Sequence, residues 1–74
     1  MKHRIPKKLH TVFNEYITDE EITEWLNDVA VYDTWDIDYD AMTLEITNPQ
    51  QPYNIREFFT TVTEFFEDQL EAAE

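Results

Sequence analysis

Three features of the chain predict an α+β domain with element order ααββα. Apolar residues recur at helical spacing over residues 9–17, 22–29 and 55–70, and between Trp35 and Ile46 they alternate at period two. The length, 74 residues, suits one small domain. The composition, 42% apolar and 15% aromatic, is too rich for a solvated acidic tail and demands a core. The helices are expected to cover one face of an antiparallel β-hairpin.

Each element has its own warrant. Leu9, Val12, Phe13, Tyr16 and Ile17 fall at i, i+3, i+4, i+7 and i+8, which predicts a helix over about residues 6–17. Pro6 suits its first turn, where a missing N–H costs nothing. Thr18 followed by Asp19-Glu20-Glu21 is a capping box with acids at the helix start, and Ile22, Trp25, Leu26 and Val29 supply the apolar face of a helix over about 19–30. Trp35, Ile37 and Tyr39 alternate with Asp36, Asp38 and Asp40, and Leu44 and Ile46 with Glu45 and Thr47, giving a hairpin with its loop near residues 40–43. Residues 48–52, with two prolines, connect it to the last helix. There Asn54 stands at the cap and Glu57 at the capping-box position. Ile55, Phe58, Phe59, Val62, Phe65, Phe66 and Leu70 share an arc of about 140°. All four of those phenylalanines read as core. Glycine is absent, so left-handed positions are expected to fall on Asn or Asp. Residues 1–5 read as a basic arm outside a domain spanning 6–74.

The charge is strongly unbalanced. Seventeen Asp and Glu against five Lys and Arg give a formal charge of −12 and a pI of about 4.2. Direct binding to a nucleic-acid backbone or an anionic membrane is thereby disfavoured. Without cysteine the chain has neither a disulfide framework nor a Cys-ligated zinc site. No apolar run approaches the length of about 18 that spans a membrane, and no apolar stretch follows the basic start, so a cytoplasmic protein is expected.

Lys2, Arg4, Lys7 and Lys8 precede Leu9; beyond it Arg56 alone faces all 17 acids. The acids are segregated. Glu57, Glu64, Glu67, Asp68 and Glu71 lie opposite the phenylalanines of the last helix, and Glu20, Glu24 and Asp28 form an i, i+4, i+8 stripe on the second. Asp36, Asp38 and Asp40 share the hairpin face turned away from Trp35 and Ile37. Solvation alone is the plain account of such faces. Yet a mixed surface gains a few tenths of a kcal/mol per Glu–Lys pair at i, i+4, and like pairs cost about as much. This chain accepts the repulsion.

Alternate strand residues lie about 6.7 Å apart and i, i+4 helix residues about 6 Å apart, spacings close to those of neighbouring phosphates along a nucleic-acid strand. In size, charge and lack of a catalytic motif the chain resembles the small acidic DNA-mimic proteins of phages and plasmids, among them anti-restriction and anti-CRISPR inhibitors. The resemblance implies a non-catalytic inhibitor in the host cytoplasm. It would block the basic nucleic-acid-binding groove of a host defence or DNA-processing protein. The eleven carboxylates named above would be the contact residues, and Tyr32, Tyr39 or Tyr53 would add specificity. The alternative is an acidic interaction or regulatory module, antitoxin-like or dimeric, built on aromatic surface the core does not cover. A halophilic origin is a third account of the acidity.

Other sites find less support. An EF-hand loop starting at Asp36 would need Gly at 41 and Glu at 47, where Ala41 and Thr47 stand. His3 and His10 have neither a cysteine nor a nearby carboxylate partner and read as solvated. No nucleophile, phosphate loop or oxyanion signal accompanies the carboxylates, so neither catalysis nor a metal or other cofactor is expected.

Overall fold

In the computed structural model, which describes the backbone of residues 1–72 and the side-chain environment of residues 1–70, the expected hairpin carries a third strand. Lys2–Arg4 form β1, Thr34–Asp38 β2 and Thr43–Thr47 β3. The sheet order is β1-β3-β2 and both pairings are antiparallel. The basic segment expected to stand outside the domain is therefore an edge strand of its sheet. Its ladder extends past the strand ends, with Ile46 N donating to Met1 O at 2.8 Å and Ile5 N to Met42 O at 2.9 Å. The remaining elements follow the expected order, so the fold is α+β with a three-stranded sheet in place of an isolated hairpin.

The period-two pattern decides which sheet face is buried. Trp35 pairs with Ile46, and Ile37 pairs with Leu44, which pairs in turn with His3. These residues point inward, and Leu44 and Ile46 are fully buried. Lys2, Arg4, Thr34, Asp36, Asp38, Glu45 and Thr47 are exposed on the outer face. All helices consequently pack on the inner face, making two layers.

Residues 7–16 form the first helical segment, opening as a 3₁₀ turn at Lys7–Leu9 and closing as a π-helical turn at Val12–Tyr16. Ile17 N donates to Val12 O at 2.9 Å, five residues back. The wider turn carries Tyr16 off the buried stripe that regular spacing gives it, and Tyr16 is left 48% exposed. Next comes α1, Asp19–Val29, closed at its start by the predicted capping box: Thr18 Oγ1 accepts from Glu21 N at 3.2 Å, and Thr18 N donates to Glu21 Oε1 at 3.1 Å. The last predicted helix is split. Ile55–Phe65 form α2 and Glu67–Ala72 form α3, with Phe66 between them at φ −103°, ψ 22°. Asn54 does cap α2, but its side chain accepts from Arg56 N at 3.0 Å.

Phe13, Phe58 and Phe59 meet at ring-centroid distances of 5.4–6.5 Å over Ile22, Leu26, Leu44 and Ile46. Each such side chain contributes about 1.5–3 kcal/mol through burial. Phe58, Phe59 and Phe66 are core as expected; Phe65 is not, being 61% exposed. Among the described residues two take left-handed backbone: Asn48 (φ 52°), the type expected, and Met42 (φ 51°). At Met42 this costs about 1–2 kcal/mol, offset in part by burial of its side chain in the core.

Candidate protein-binding face

The two outer surfaces of this sandwich place the predicted carboxylates in different electrostatic settings. On α1, Glu20, Glu24 and Asp28 are all exposed and the helix carries no cation. Asp19 and Glu20, with Thr23, Glu24 and Asn27, also line a shallow hollow on this helix. Acids in the first turn suit the helix dipole, but Asp28 lies in the last turn, where a negative charge costs about 0.3–1 kcal/mol. Glu64 stands in the last turn of α2, a turn with no basic residue. Glu67 and Asp68 open α3 and are exposed.

The hairpin trio is not an extension of that stripe. Asp36 and Asp38 face outward from the sheet, on the side opposite the outer surface of the helices. Asp36 lies across from Glu45, which lies across from Lys2, while Asp38 lies across from Thr43, which lies across from Arg4. Cross-strand neighbours are about 5 Å apart, so β1 sets two cations into this acidic face. Asp38 is further occupied as a turn cap, its Oδ1 accepting from Asp40 N at 3.0 Å and Ala41 N at 3.2 Å. Asp40 belongs to the turn and does not continue the strand row. The expected face shared by Asp36, Asp38 and Asp40 is thus reduced to two strand carboxylates in a mixed field.

On α2 the acids also have cationic company. Glu57 follows Arg56, and Glu64 lines the same hollow as Arg56 and Lys8. The side chain of Glu71 lies outside the described residues. Of the predicted contact residues, the structure gathers Glu20, Glu24 and Asp28 into one row free of cations. It sets Glu67 and Asp68 beyond the break at Phe66 and separates the rest.

The predicted specificity tyrosines divide similarly. Tyr32 is half-buried against the core, and its hydroxyl has no hydrogen-bond partner among the described residues. Tyr53 is half-buried and hydrogen-bonds His3 Nε2. Burial raises both phenol pKa values. Only Tyr39 is exposed, at the hairpin turn. The histidines are not solvated as expected: His3 packs edge-on against Tyr53, and His10 Nε2 donates to Ile5 O at 3.0 Å. Burial, and then the N-terminal ammonium, lowers the His3 pKa below 6.5.

The uncovered aromatic surface that the alternative reading allowed for lies elsewhere, at Phe65. Trp25 of α1 meets Phe65 of α2 at 4.9 Å, and Phe65 meets Phe66 at 5.0 Å. Tyr16 stacks on the far side of Phe66 at 6.4 Å. The apolar arc of α2 was the available signal, being wider than one seam needs to bury.

Among the described residues no three His, Asp or Glu side chains converge on a metal-sized site, and no helix is long and apolar enough to cross a membrane. No family model, curated protein or solved structure matches this chain.

Proposed function

We propose that the protein is a non-catalytic acidic inhibitor that presents the outer surface of its helices to the basic nucleic-acid-binding groove of a host protein. The observation that carries this reading is the Glu20–Glu24–Asp28 row, exposed and without a cation on its helix. Its carboxylates repeat at about 6 Å, close to the phosphate spacing of a nucleic-acid strand. The row is costly to stability. Like charges at i, i+4 repel, and Asp28 opposes the helix dipole. A cation at residue 24 would reverse both repulsive contacts, and one at residue 28 would remove the dipole penalty and one of the contacts, with the helix still soluble. The cost therefore points to a use outside the fold, and association with a basic groove would be fast and salt-sensitive.

The second reading, an acidic interaction module without mimicry, is favoured by one observation, the exposed Phe65. The two readings part in a capture experiment. The full chain is immobilised, exposed to a nuclease-treated bacterial lysate, and eluted with a competing oligonucleotide. Mimicry predicts basic nucleic-acid-binding proteins released by the competitor. Bound proteins that no nucleic acid displaces would favour the interaction module and overturn the mimic.

A further inference from the structure

We infer that Trp25 and Phe65 form an aromatic ridge that receives an arginine side chain of the basic partner, an inference that rests on the helical surface being the partner-binding face. Phe65 is 61% exposed and leans on Trp25 and on the buried Phe66. Leaving a phenylalanine in water forgoes a large part of the stabilisation its burial would give, and a chain this short has little to spare. Phe65 is the last residue of the regular helix α2 and lies at the edge of an apolar arc wider than the core covers.

Charge complementarity selects the occupant. Three residues on from Trp25 stands Asp28, and three residues on from Phe65 stands Asp68, both exposed. A second copy of this chain would bring the same carboxylate rim against it and be repelled. A guanidinium satisfies both features at once, because its plane stacks on aromatic rings while its N–H fork reaches carboxylates. A lysine ammonium meets the carboxylates as a point charge and makes less use of the rings.

The full chain is titrated with oligoarginine and with oligolysine of equal length at low ionic strength, following tryptophan fluorescence. Oligoarginine is expected to bind about fivefold more tightly. Phe65→Ala should bring the ratio close to one by weakening oligoarginine more than oligolysine, and Phe65→Tyr, which keeps the ring, should restore the preference. Equal binding of the two peptides, or a preference that survives Phe65→Ala, overturns the ridge and leaves the acidic face standing. Failure of both peptides to bind overturns the acidic-face reading and the ridge with it. Sedimentation showing a dimer that Phe65→Ala dissolves overturns the arginine assignment in favour of self-association.

Discussion

On the outer face of the sheet Lys2 stands across from Glu45, which in turn faces Asp36, whereas on the outer face of α1 Glu20, Glu24 and Asp28 follow one another with no cation on the helix. Both surfaces are exposed and neither contributes to the core. The same chain therefore mixes charge where strand pairing brings carboxylates together and leaves it single-signed where a helix would accept lysine easily. Acidity is a local property here, and the face that retains it is the one that costs stability without repaying it inside the fold.

Breaking the balance on the sheet should have the largest effect on stability. Lys2→Glu with Arg4→Glu sets a like charge directly opposite Glu45 and removes both cations from the face that carries Asp36 and Asp38, which is expected to cost about 1–2 kcal/mol. For a domain of this size the Tm falls by roughly 4–8 °C for each kcal/mol. An unchanged Tm in a thermal melt would show that β1 does not neutralise this face. The helix should respond with the opposite sign. Glu24→Lys turns two repulsive i, i+4 contacts into attractive ones, raising stability by about 0.5–1 kcal/mol; added salt, which screens that repulsion, should raise the Tm of the natural protein more than that of the variant. A loss of stability would mean the row has a structural role.

The smallest effect concerns the join between β1 and the loop before α2. The folded pKa of His3 is lowered by burial and by the N-terminal ammonium, and its ring bonds the Tyr53 hydroxyl. The neutral form is thus favoured in the fold. Its contribution is complete above the ordinary value of 6.5 and declines as pH falls through that value toward the lowered one. Relative to His3→Gln, which does not titrate, the natural protein should lose Tm between about pH 7.5 and pH 5.5. A constant difference between the two melting curves would remove His3 from the pH response.

What was legible in the sequence follows from where the physics is local. The Thr18–Glu21 box, the alternation from Trp35 to Ile46 and the Asn54 cap all act within a few residues, and each appears in the structure. β1 was not legible because it is three residues long and its one inward side chain is a histidine. Only the neighbours Met1 and Ile5, alternating with it, carry the pattern. Helical angles place Phe65 on the apolar arc, but they do not say how much of that arc the sheet and α1 can cover. The π turn and the break at Phe66 have no proline or glycine to announce them. The α1 row could be read as three residues at helical spacing. That the hairpin row is not its equal depended on Lys2 and Arg4 being brought beside it by long-range pairing.

Two variants that each remove three negative charges separate a binding face from mere net charge. Glu20→Gln/Glu24→Gln/Asp28→Asn and Asp36→Asn/Asp38→Asn/Asp40→Asn are titrated with oligolysine at low ionic strength. With the helices as the binding face, the first should weaken binding roughly tenfold and the second no more than about twofold. Equal losses in the two variants would contradict the account.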